Sequence, residues 1–196
     1  LGSGGESNTL LSITAASVRE GSGRLWRSDV FAAPTLGGDV PAPIADALGR
    51  PRAVLRLGPG ADRYQLLRWV VDDLRKSPRK AQALVLCASA AEARTLGRRL
   101  KEDRVMTAVL AHEGRGAGRA LEWARAAAGF EVVVGSRAAA WAPAPELARV
   151  VLLDEHDEAY QQEQSPTLHA RDVLIERAAK AGARCLLVSP CPTLEA

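Results

Sequence analysis

Between the apolar run Ala53-Val54-Leu55-Arg56-Leu57 and a segment of helical period stands Gly58-Pro59-Gly60-Ala61-Asp62. A glycine turn in that setting can cradle an anion: backbone N–H groups and the helix N-terminus hold it, a Lys reaches the terminal phosphates and a Ser or Thr hydroxyl binds magnesium. Here Ala61 stands where the Lys would be, and Asp62 replaces the hydroxyl with a carboxylate. The simpler reading is a turn that leads into a capped helix and takes no ligand. A second cluster, Asp154-Glu155-His156-Asp157, follows the apolar run Val150-Val151-Leu152-Leu153. Acids at the end of a strand can direct magnesium and orient an attacking water; an acidic surface loop is the alternative. His112, His156 and His169 lack the spacing of a helix-borne ligand pair, so no metal site is expected from them.

The elements that must position these groups follow from periodicity. Short apolar runs predict strands at 53–57, 83–87, 105–110, 130–134, 150–153 and 184–188. Leu66, Leu67, Val70, Val71 and Leu74 recur at helical spacing through Lys76. Ser89 with Glu92 three residues on reads as a capping box opening a helix over Ala93, Leu96 and Leu100. Further helices are expected over Gly118 to Ala128 and from His169 to Ala181, the latter ended by Gly182. Strands alternating with helices predict an α/β fold with a mostly parallel sheet, of the RecA-like (P-loop NTPase type) three-layer kind. The Gly turn, Asp154, Glu155 and Ser189 should then gather at the C-terminal edge of the sheet. Residues 1–9 read as a flexible leader or cloning scar. Residues 10–50, rich in Gly, Pro and Ser, read as an N-terminal extension and linker, with apolar stretches at 10–18 and 25–33 that could pair as strands before Pro41-Ala42-Pro43.

At 196 residues with 47% hydrophobic and 25% charged content, the chain has the make-up of a soluble globular protein with one substantial core. The net charge of +3 permits a polyanionic partner without demanding one. The cations are 22 Arg against four Lys. Arg is the better group for bidentate phosphate contact, yet a GC-rich gene would produce the same bias. Cys87, Cys185 and Cys191 are too few and scattered for a disulfide framework, and no CxxC pair is present. A cytoplasmic location fits, and no apolar run approaches the length that crosses a bilayer, so no membrane partner is expected.

Residues 150–160, Val-Val-Leu-Leu-Asp-Glu-His-Asp-Glu-Ala-Tyr, are followed by Gln161-Gln162-Glu163, Pro166 and His169-Ala170-Arg171-Asp172. In that order they resemble the DEEH box and HARD element of the PriA family of superfamily 2 helicases, which act in bacterial replication restart. Gly135-Ser136-Arg137-Ala138 with Trp141 and Pro143 resembles the family's G-T-R-S-A motif, and His112-Glu113-Gly114 falls where its H-S-G would be. Ser189-Pro190-Cys191-Pro192-Thr193-Leu194-Glu195 resembles its S-A-T-P-S-L-E motif. The resemblance covers about residues 51–196, which it implies are a degenerate RecA-like first helicase lobe.

The departures fall on the motor chemistry. Aligned without a gap, Leu153 occupies the position of the magnesium-directing Asp, Asp154 that of the first Glu, and only Glu155 and His156 keep their places; a one-residue slip would return Asp154 to the metal position. Pro190-Cys191 replaces the Ala-Thr pair of the family's third motif. Three readings follow. In the first, Gly58, Gly60, Ala61 and Asp62 are a vestigial phosphate loop, Asp154, Glu155 and His156 are a motif II without catalysis, and the protein is a DNA-binding, nucleoid-associated replication restart module without ATPase or helicase activity. It would meet arrested forks, single-stranded or branched DNA, and primosome and replisome proteins, with Arg137 and Arg171 as the DNA contacts that the resemblance implies. No cofactor is then expected in this stretch, ATP and magnesium should not bind tightly, and any zinc-binding cysteines would lie outside it. In the second, the chain is an active ATP-dependent 3'-5' DNA helicase whose nucleotide site is rescued by groups such as Arg56 or Arg63. In the third it is an unrelated small α/β enzyme with a metal at the acidic cluster.

Overall fold

The computed structural model describes residues 38–58, 60–111, 116–162 and 167–193. Six strands form one sheet: β1 (Arg52–Arg56), β2 (Gln82–Leu86), β3 (Thr107–Leu110), β4 (Val132–Gly135), β5 (Leu147–Leu153) and β6 (Arg184–Ser189). They lie in the order β1-β6-β5-β2-β4-β3 and every pairing is parallel. The expected strands are all present, most within one or two residues of their expected bounds, and β5 begins three residues earlier than expected. β2 and β4 are buried along their whole length. Covered on both faces, they read as unbroken apolar runs rather than alternating ones.

Helices α1 (Ala42–Gly49), α2 (Arg63–Arg75) and α3 (Ala90–Glu102) cover one face, packing Leu66, Val70 and Leu100 on Val85, Val134, Val151 and Val188. On the other face α4 (Ala117–Ala127) and α5 (Ala170–Ala181) enclose Leu84, Leu86, Val133, Leu152 and Leu187 together with a 3-10 helix, Arg137–Trp141. This is the three-layer α/β architecture of a RecA-like lobe.

Local signals explain most helix ends. Ser89 Oγ accepts the Glu92 N–H at 3.1 Å, and Gly182 closes α5 at φ 64°. The extension-and-linker reading of residues 10–50 needs a correction at its end. Pro41 and Pro43 do not continue a linker but open α1, where a missing N–H costs nothing in the first turn. Its Ile44, Ala47 and Leu48 are buried in the same core as α2 and α3, so α1 is part of the folded lobe. The segments 1–9, 10–18 and 25–33, together with His112-Glu113-Gly114, Glu163, Pro166 and Leu194-Glu195, lie outside the described residues.

At the margin of the sheet β3 does not present bare backbone. Glu122 on α4, itself buried, accepts the outward N–H of Val109 at 2.7 Å, and Arg94 on α3 donates to the Ala111 carbonyl at 2.8 Å.

Candidate functional site

The C-terminal ends of β1, β5 and β6 bring the predicted groups together, as expected of parallel strands. After β1, the Ala61 N–H bonds the Gly58 carbonyl at 3.0 Å, closing the turn. Asp62 then caps α2, its carboxylate accepting the Tyr64 N–H at 2.9 Å. Asp62 is thus a helix cap, with Arg99 3.8 Å from the same carboxylate. A Cβ at Gly58 or Gly60 would meet nothing within 4 Å.

The residue that sequence reasoning placed only in reserve, Arg63, occupies the centre of the site. From the first position of α2 its guanidinium donates to Asp154 Oδ1 at 2.6 Å, with Glu92 of α3 3.8 Å away on its other side. Burial beside these acids has a visible electrostatic effect: Glu92 is pushed above the ordinary Glu range, first by desolvation and then, against the pull of Arg63, by Asp154 and Asp157. Arg63 itself is raised; burial pulls it down, and its bond to Asp154 and the charges of Asp154 and Glu92 more than restore it. Asp154 is held in a left-handed conformation, φ 51°. The turn there is pinned from below by Tyr160, fully buried, whose hydroxyl donates to the Leu153 carbonyl at 2.5 Å.

Glu155 and His156 diverge from Asp154. Glu155 is 0% exposed and saturated: it accepts the Thr193 N–H at 2.7 Å and the Thr193 hydroxyl at 3.0 Å, and Arg171 lies 3.4 Å away. A carboxylate enclosed in this way orients the end of β6. His156 stays exposed, with Nδ1 2.8 Å from the Ser189 hydroxyl, which also accepts the Cys191 N–H at 3.1 Å. Leu153 is buried in the face covered by α1, α2 and α3, so position 153 contributes no polar group to the site. Among the described residues, no three His, Cys, Asp or Glu side chains converge as a metal-ligand set.

The two Arg residues expected at DNA part company. Arg171 is turned inward, 7% exposed, and engages Glu155, Thr193 Oγ1 at 2.8 Å and Asp172, so a phosphate would have to draw it out of a buried ion pair. Arg137 is part-exposed at the start of the 3-10 helix and donates to the carbonyls of Ala159 and Gln161. Arg177 of α5 holds the far end of the same helix through the carbonyls of Ala140 and Ala142, and burial lowers its pKa. Arg56, the other reserve cation, is exposed and donates to the Pro190 carbonyl at 3.2 Å.

Magnesium triphosphate needs a Lys, a hydroxyl and an acid left free for the metal. The residues present do not fit it: Ala61 carries no charge, Asp62 caps its own helix, and Asp154 is engaged by Arg63.

No family model matches the chain. Curated relatives do. The chain is 41% identical over 64 residues to the replication restart protein PriA of Bacillus subtilis (strain 168), covering 33% of this chain and 8% of that protein. It is 36% identical over 89 residues to the PriA of Chlamydia pneumoniae, 44% of this chain and 12% of the relative. Against the PriA of Haemophilus influenzae it is 38% identical over 74 residues, 37% and 10% respectively. The chain spans about a tenth of the length of the relatives it matches.

Proposed function

We propose that this PriA-like chain is a RecA-type lobe of a replication restart protein that associates with DNA and does not hydrolyse ATP. The observation that carries the reading is the Arg63–Asp154 ion pair at the head of α2. In a phosphate-loop enzyme this space holds the metal and terminal phosphates between loop and strand-end acid. Here a guanidinium from the chain itself bridges the same two elements, so the acid is neutralised without a ligand. Asp62 adds to this, since a carboxylate at a helix N-terminus favours the empty helix and repels an arriving triphosphate.

The restart role comes from the relatives, whose printed name is replication restart protein. Forks, single strands or branched DNA are its proposed ligands, and primosome and replisome proteins its proposed partners. Arg137 is the proposed phosphate contact: two carbonyls hold its guanidinium at the strand-end surface and leave other N–H groups for solvent or phosphate. Calorimetry with magnesium ATP, run beside a DNA-stimulated phosphate-release assay on the full-length protein, tests the reading. No binding heat and no turnover are expected. Micromolar binding or DNA-dependent turnover would favour an active helicase with an unusual nucleotide site.

A further inference from the structure

The two margins of the sheet are finished differently. β3 has outward groups answered by Glu122 and Arg94, whereas β1 pairs with β6 and, among the described residues, no strand lies beyond it. The Pro51 carbonyl and the Leu57 N–H bond to β6. Backbone groups alternate in direction along a parallel strand, so those of Arg52, Val54 and Arg56 point away from β6, towards the open margin. The side chains of these three residues are exposed, Val54 at 41%, while Ala53 and Leu55 pack under α1. β1 has neither a proline nor a bulge to blunt it, so its edge can template one more strand.

The course of the chain says which segment reaches that margin. β1 passes to β2 through α2, and β2 to β3 through α3, both on one face and both moving towards the β3 margin. β3 returns to β4 through α4, and β5 to β6 through α5, on the other face and in the other direction. All four crossovers therefore share one hand, as expected of parallel strands. α1 lies on the first face. A strand joined to β1 through α1 keeps that hand only if it stands outside β1, on the side away from β6. Its direction follows too. Arg50 and Pro51 alone separate α1 from β1, and Arg184 at the start of β6 donates to the Leu48 carbonyl at 3.1 Å. α1 thus descends beside β1, and the chain enters it at the C-terminal edge of the sheet. A strand that ends at that edge runs parallel to β1.

We propose that residues 28–32, within the apolar stretch 25–33 that precedes α1, add to β1 as a further parallel strand with α1 as the crossover. These residues lie outside the described ones. Setting Asp29 opposite Arg52 and Phe31 opposite Val54 places an acid beside a cation and an aromatic ring beside a β-branched side chain on one face. The same register turns Val30 and Ala32 to the face covered by α1. The Val54 N–H then meets the Val30 carbonyl, and the Ala32 N–H meets the Val54 carbonyl. Residues 34–40, with Pro34, Gly37 and Gly38, have the length and turn chemistry to climb from the sheet to the helix layer. A second copy suits this edge less well: two β1 strands joined antiparallel about Val54 would set Arg52 against Arg56 twice. The inference is independent of the DNA-associated reading.

Amide exchange and backbone cross-peaks, followed by NMR on the isotopically labelled full chain, test it. The Val54 and Arg56 amides are expected to exchange at least about tenfold more slowly than those of an open peptide, at every protein concentration, with cross-peaks from Val54 to residues 30–32. Val30→Pro deletes the N–H that would bond the Arg52 carbonyl, and should return both amides to the open rate. Phe31→Pro, whose lost N–H would point outward, should leave them protected. Signals from β5 and β6 report whether each variant keeps the lobe folded, and the wild-type exchange and cross-peaks decide the matter should a variant unfold. Fast exchange at Val54 and Arg56 in the wild type overturns the proposal. So does protection that fades on dilution, the mark of a second copy, protection with cross-peaks to another segment such as 10–18, or protection that a folded Val30→Pro variant retains.

Discussion

The guanidinium of Arg171 lies 3.4 Å from the carboxylate of Glu155, and the two are 7% and 0% exposed. The pair ties the first turn of α5 to the turn after β5, and Thr193 completes it from beyond β6. Removing one partner leaves a charge in the interior. Arg171→Met is expected to destabilise the fold by about 3 kcal/mol, the lower end for a broken buried pair because Thr193 still serves the carboxylate. Urea denaturation measures it. A loss within error of zero would mean that Arg171 is free to face a ligand after all.

Restoring the missing phosphate-loop side chains should not restore the site. Ala61→Lys with Asp62→Thr supplies the charge and the hydroxyl, but Arg63 still neutralises Asp154 and Leu153 brings no acid. No magnesium ATP turnover is expected from the double variant in a phosphate-release assay. Turnover from these two changes alone would show that Asp154 serves as the metal acid, and that the ungapped placement of Leu153 at that position is wrong.

Glu92 makes stability depend on pH in a definite direction. Its folded pKa is raised above the ordinary value of 4.5, mainly by burial, so the folded state prefers the protonated form. That contribution is fully present below pH 4.5 and is lost as pH rises through the folded value. Glu92→Gln, which cannot ionise, is therefore expected to raise Tm at pH 7, the gain shrinking to nothing as pH falls below 4.5. Thermal melts of both proteins across this range check the sign; a variant less stable at pH 7 would show that the Arg63 contact outweighs the burial.

The three thiols should separate cleanly. Cys87 and Cys185 are buried, and burial raises both, Cys185 to about 11. Cys191 is exposed. Ellman's reagent is expected to react quickly with one thiol in the native protein and with all three in denaturant. Two fast native thiols would place β6 or the end of β2 closer to solvent than this packing allows.

The sheet was legible because burial on both faces writes apolar runs directly into the chain, as at Val132-Val133-Val134. α1 was not, since Pro41-Ala42-Pro43 signals a linker and a helix start equally well and only the burial of Ile44 and Leu48 decides between them. The inward position of Arg171 was legible too. It precedes the buried Leu174 and Ala178 by three and seven residues, which puts it on the inward stripe of α5. The Arg63–Asp154 contact carried no such signal: its partners are 91 positions apart and meet only once the strands are ordered in space.

The margin at β3 bears on how the molecule behaves in a crowd of its own copies. An edge strand is a template, and two such edges can zip together and start an aggregate. Here each copy would first have to break the bond of Glu122 to the Val109 amide and that of Arg94 to the Ala111 carbonyl. The loss would take from the buried Glu122 its backbone donor, leaving it only its ion pairs with Arg125 and Lys101. Self-pairing at this edge therefore meets a barrier before it gains a single new bond, which favours colloidal stability at high concentration without enlarging the core.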